Sequence, residues 1–184
     1  MSAFEYLSVF ISIILGLAVV HLLGGVSLIL DQRVQARLDR VHLLWVINMF
    51  TLITWVWWGN WQLEGIEVFS PVHYVAMVLF SVVVYLMCGL LFPVRGKEVE
   101  DFREQFEMNR SRFFYLGLAL AVAAALKGHV DLQVLEEPDT IERGIALVVV
   151  ATLFVIAAHT RQRHFHGALA LAFLLLLIRL IFTE

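Results

Sequence analysis

Apolar residues run along this chain in six long blocks, each closed off by charge, glycine or proline. The blocks are Phe4 to Leu30, Val41 to Leu63, Val72 to Phe92, Phe113 to Leu135, Ile141 to His159 and Phe165 to Phe182. About 20 consecutive apolar residues carry a helix across a hydrocarbon core, and tilt absorbs differences in length. None of the blocks alternates with period two, and backbone in lipid must bond within its own segment unless a barrel closes. The pattern therefore predicts an all-α polytopic membrane protein: a six-transmembrane-helix bundle, one domain over residues 1–184.

Between the third and fourth blocks the pattern changes. Val99, Phe102, Phe106 and Phe113 recur at helical spacing, with Glu98, Glu100, Asp101, Arg103, Glu104 and Glu107 between them. This predicts an amphipathic helix on the inner leaflet between spans three and four; the alternative is a helical extension of the fourth span. Pro138-Asp139 followed by Glu142 reads as a capping signal opening the fifth span. Leu15-Gly16-Leu17-Ala18 recurs as Leu116-Gly117-Leu118-Ala119. A true repeat at that offset would make the two halves inverted, although such tetrapeptides also arise by chance in apolar sequence.

Composition narrows the class. The chain is 61% hydrophobic and 16% charged, with a mean hydropathy of +0.85, whereas soluble domains carry about 25% charged residues. A water-soluble globule is excluded, and six spans of roughly 20 residues leave about 60 outside the bilayer, too few for a separate catalytic domain. A net charge of -3 offers no basic surface for nucleic acid. The lone Cys88 cannot form an intrachain disulfide.

Charge also sets orientation. Arg33, Arg37 and Arg40 lie in the first loop, Arg95, Lys97, Arg103, Arg110 and Arg112 in the third, and Arg161 and Arg163 in the fifth. Lys127, Arg143 and Arg179 lie toward the other face, and the second loop carries Glu64 and Glu67 without a cation. Cytoplasmic loops are enriched in Lys and Arg, so both termini are expected outside, in a cell (inner) membrane. The first block lacks a basic n-region and an A-x-A site, so it is expected to be a retained helix rather than a leader.

Several motifs carry a family resemblance: Glu5-Tyr6-Leu7-Ser8-Val9, Ser12-Ile13-Ile14-Leu15-Gly16-Leu17, the Trp-rich second span, Leu91-Phe92-Pro93 and Arg112-Phe113-Phe114. Together they resemble a functionally uncharacterised family of small bacterial six-helix integral membrane proteins. The resemblance implies a bacterial inner-membrane setting and no particular active site.

Polar residues inside the spans are the candidates for chemistry, because each is costly in lipid unless it faces protein or water. His21 lies deep in the first span, and Asn48, Thr51, Trp55, Trp58 and Gln62 form a stripe along the second. Lys127, His129 and Asp131 interrupt the fourth after fourteen apolar residues. With His73, Glu64, Arg143 and Arg179 they could line an outward-facing polar vestibule. His21, Asn48, Thr51, Lys127, His129 and Asp131 are thus the candidates for a polar pathway through a small, oligomeric channel or transporter. The alternative is a non-catalytic accessory or sensor protein that offers its basic inner loops to lipid or a protein partner. A further alternative pairs His42 with His159 and His73 with His129 as haem ligands for electron transfer; otherwise no cofactor and no metal site is expected. His164 and His166, beside Arg161 and Arg163, read as an anionic-lipid contact or a metal site. No G-x-S-x-G, H-E-x-x-H or P-loop is present, so nothing at motif spacing points to an enzyme. Small residues at Ser8, Ser12, Gly16 and Gly24, and at Gly117, Ala121 and Ala125, predict close helix packing within or between chains.

Overall fold

The computed structural model describes residues 3–31, 36–61, 70–92, 100–135 and 141–183, apart from the side chains of 3, 128–135, 142, 143 and 183. The described residues form six helices: α1 (Ala3–Leu30), α2 (Arg40–Trp61), α3 (Pro71–Leu91), α4 (Phe102–Leu135), α5 (Ile141–His159) and α6 (Arg163–Thr183). Local chemistry explains three of the starts, since the first N–H groups of a helix need acceptors. Asp39 Oδ2 accepts the His42 N–H at 3.0 Å, Ser70 Oγ the His73 N–H at 3.1 Å, and Asp101 Oδ1 the Arg103 N–H at 2.7 Å. Pro71 follows Ser70, where its missing N–H costs nothing. The Pro138-Asp139 signal lies outside the described residues.

Four helices, α1, α2, α3 and α6, are long and apolar enough to cross a membrane, and α5 holds a shorter apolar stretch, Gly144–His159. The outward faces fit a lipid solvent: Val20 and Leu17 on α1, Val148 on α5 and Leu175 on α6 are all more than half exposed. In water such a surface would be an association liability. The buried polar residues, among them Asp39, His42, Asn48, Arg110 and His166, are turned inward instead.

One expected element is corrected. The segment before the fourth span is not a separate helix on the inner leaflet but the first turns of α4, a single helix of 34 residues. No Gly or Pro interrupts Phe102 to Leu116, so nothing breaks the hydrogen-bond ladder. Its apolar stripe is spent on protein rather than lipid: Phe102, Phe106, Phe113 and Phe114 are all buried. Phe102 stacks on His42 of α2, and Phe106 meets His166 of α6 edge-on. The start of α4 thus lies over the starts of α2 and α6.

Helix α1 packs on α3, α3 on α4, α4 on α5, and α2 on α6, with α2 also touching α1, α3 and α4. The indole of Trp45, fully buried on α2, meets Phe113, Phe114, Phe154 and Phe173 at centroid distances of 5.1 to 6.1 Å. Aromatic rings thus fill the space between α2, α4, α5 and α6. An inverted repeat would match α1 with α4 and α3 with α6, yet α1 and α3 are close while α4 and α6 make no comparable backbone approach. The described packing does not follow that symmetry.

The small-residue seams divide. A Cβ on Gly117 would stand 2.6 Å from the Phe154 ring, so the fourth-span seam joins α4 to α5. A Cβ on Gly25 would run into the Phe92 ring. Gly16 and Gly24 have nothing within 4 Å of an added Cβ, and with Ser12 they face outward.

Candidate functional site

The densest polar geometry lies where three connections meet: the ends of α1, α3 and α5 with the starts of α2, α4 and α6. Backbone pairing joins two of them, with Arg37 N–H to Glu100 O at 2.9 Å and Phe102 N–H to Arg37 O at 3.0 Å. Asp39 ties in the third. While Oδ2 caps α2, Oδ1 accepts from Arg163 at the start of α6. One carboxylate thereby caps α2, where the helix dipole favours negative charge, and holds the first side chain of α6. It is 3% exposed, and the Arg163 side chain is 41% exposed.

A second clamp closes the end of α5. Thr160 O accepts from both Arg110 Nη1 and His166 Nε2, the latter at 2.9 Å. A guanidinium here satisfies a carbonyl that the helix leaves without an internal donor and meets the negative end of its dipole. Arg110 is 6% exposed and also has the Glu107 carboxylate 3.8 Å from Nε. Ser111 Oγ donates to Ala158 O at 2.9 Å, and Asn109 Nδ2 to Leu90 O at 3.2 Å. Three successive residues of α4 thus grip the ends of α3 and α5. Arg37, Arg40, Arg103, Arg112 and Arg161 remain exposed around this cap.

The sequence-predicted residues are dispersed among several helix contacts. Asn48 is fully buried, and its Nδ2 donates to Ala170 O of α6 at 2.9 Å, an interhelical tie rather than an open lining. Exposure rises along the stripe through half-buried Thr51 and Trp55 to exposed Trp58, and Gln62 lies outside the described residues. His21 is half-buried, with its ring 6.4 Å from Phe92 and no partner for Nε2 among the described residues. Asn48 faces α6 and His21 faces the Phe92 corner.

Of the vestibule group, His73 is fully buried, Lys127 half-buried and Arg179 exposed. Glu64 and the side chains of His129, Asp131 and Arg143 lie outside the described set.

Of the histidines in the haem reading, His42 and His159 have other partners. His42 Nε2 donates to Leu91 O at 2.7 Å, while its ring stacks on Phe102 and meets Phe92 edge-on, each at 5.1 Å. An iron at Nε2 would have to displace that carbonyl and force the neighbouring rings aside. His159 is exposed on α5, with Nδ1 donating to Val155 O at 2.9 Å and Nε2 accepting from Tyr115 Oη at 3.3 Å. No ring contact links it to His42 among the described residues. His164 is exposed and His166 buried, stacked on Phe114 at 5.3 Å. The two side chains thus lie in different surroundings, one at the surface and one among rings. The described residues hold no cluster of three or more His, Cys, Asp or Glu suited to a metal ion.

Sequence reasoning missed Asp39 and treated Arg110 and Arg163 as loop charge alone. Asp39 was legible as a cap, since it immediately precedes the second apolar block. Its pairing with Arg163, 124 positions away, had no local signal. Compared with protein-family models, curated proteins and solved structures, the chain matches none.

Proposed function

We propose that the protein is a non-catalytic accessory protein of a bacterial inner membrane, a six-span bundle with both termini outside, which presents a rigid charged cap to a protein partner on the inner side. The observation that carries this reading is the cap itself. Three connections are joined by the Arg37–Asp101 bridge, the Asp39–Arg163 pair and the Arg110–Thr160 clamp, and five arginines stand exposed around them. A preorganised charged surface recognises a partner without first having to order its loops. The acidic residues Glu100, Glu104 and Glu107 interleave with the arginines, a mixed pattern suited to a protein surface. Inside the bundle, Asn48 is spent on a helix tie and aromatic rings fill the space around Trp45.

The test is affinity purification of the tagged protein from its native membrane. The expected result is a co-purifying protein that Arg103→Glu, Arg112→Glu and Arg161→Glu together remove while the bundle stays folded. Ion or proton flux in proteoliposomes above that of empty vesicles, altered by His21→Ala or Asn48→Leu, would overturn the reading.

A channel remains a second reading in one form. The outward face of α1, with Ser12, Gly16 and Gly24, is uncovered in the single chain, and a polar route between copies would run along it. The same flux measurement decides between the two.

A further inference from the structure

At the opposite end of the bundle, the first turns of α1 and the last turn of α2 enclose an open groove of about 400 Å³. We propose that this groove binds a neutral, membrane-soluble amphiphile whose head is a flat ring carrying a hydroxyl donor, of the phenol class. The inference is independent of the partner-docking cap.

Three features specify that chemistry. Trp57, Trp58 and Trp61 wall the groove, and indole faces favour a flat ring in offset or edge-on contact. Trp58 and Trp61 stand 5.2 Å apart at 56°, forming a corner rather than a closed stack. Asn60 also lines the groove, is 7% exposed, and has a side-chain oxygen with no partner among the described residues. A buried acceptor without a donor costs about 1–3 kcal/mol, so a ligand O–H that reaches it as the walls adjust recovers that loss. Ser8 spends its own proton on Glu5 O at 3.1 Å and so offers the groove an acceptor, with Ser12 one turn further on. Asn60 Oδ1 is thus the buried acceptor that a ligand hydroxyl would satisfy.

No charged side chain lines the groove among the described residues, which favours a neutral head over an ammonium or a phosphate. The size lies within the roughly 300–1,000 Å³ of small-molecule sites. The exposed apolar face of α1 continues from the groove through Ile13 and Leu17 and would carry an alkyl tail. A belt of interfacial tryptophans with no ligand is the competing account, and it predicts no preference between a donor and its blocked analogue.

The experiment titrates the full chain in nanodiscs with para-hexylphenol and, separately, its methyl ether, following tryptophan fluorescence against empty discs. Saturable binding of the phenol, at least tenfold tighter than the ether, is expected, and Asn60→Leu should erase that preference. Retained protection of Cys88 from a maleimide shows that the variant is folded. If Asn60→Leu does not fold, Trp58→Leu, on the exposed wall, should weaken both compounds together. Equal affinity for phenol and ether, or a non-saturable signal equal to partitioning into empty discs, overturns the proposal.

Discussion

Asp39→Ala tests whether the cap is a rigid unit. The substitution removes the acceptor of the His42 N–H, and losing an N-cap costs about 1 kcal/mol, within 0.5–2. It also frees Arg163. Breaking a fully buried ion pair would cost about 3–5 kcal/mol, but the Arg163 side chain is 41% exposed and regains water, so this contribution falls to about 1 kcal/mol. The expected total is about 2 kcal/mol. Asp39→Asn separates the two contributions, because asparagine caps as well as aspartate and removes only the charge, at about 1 kcal/mol.

Cys88, the single cysteine and fully buried on α3, reports the opening. When opening and closing outpace the reagent, alkylation tracks the open population. At tenfold per roughly 1.4 kcal/mol, Asp39→Ala should speed maleimide labelling about 30-fold and Asp39→Asn about 5-fold. On an Arg163→Met background the Asn substitution should add little, since its partner is already gone. Equal rates for Asp39→Ala and Asp39→Asn, or rates no faster than the parent, would refute the double role of this carboxylate.

Four further outcomes follow from the packing. Gly25→Ala drives a methyl into the Phe92 ring and should destabilise by about 1–3 kcal/mol, relieved by Phe92→Leu, whereas Gly16→Ala should be silent in the same labelling assay. Trp45→Ala empties the aromatic centre between α2, α4, α5 and α6 and should cost about 3–5 kcal/mol in reversible unfolding from mixed micelles; a cost below about 1 kcal/mol would mean the cluster is not packed as described. Asn48→Leu removes the tie to Ala170 O for roughly 0.6 kcal/mol, the scale of interhelical hydrogen bonds in membranes, and a loss several times larger would mark Asn48 as more than a tie. A topology reporter fused to the C-terminus should register outside, and an inside signal would reverse the assignment of the cap to the inner face.

Much of the fold was legible because lipid imposes simple rules on a sequence. Apolar blocks of sufficient length had to become helices, and the observed starts and ends of α1, α2, α3, α5 and α6 fall close to the expected ones. The start of α4 was harder. An amphipathic stripe has the same period whether it lies on lipid or on neighbouring helices, so Phe102 and Phe106 could not declare which surface they cover. The candidate residues behaved similarly. His21 and Asn48 were recognisable as costly polar groups, but their partners belong to segments remote in sequence.

By itself, then, the sequence determined the all-α class, the approximate helix limits and the separation of charged connections from apolar spans. These follow from local length, period and composition, which act on each segment independently. Tertiary structure alone decided that Asp39 bridges the starts of α2 and α6, that Arg110 and His166 share the end of α5, and that Asn60 lies buried beside three indoles. Each of these depends on distances between segments far apart in the chain. No periodicity encodes such distances, because they are set by how the helices pack as a whole.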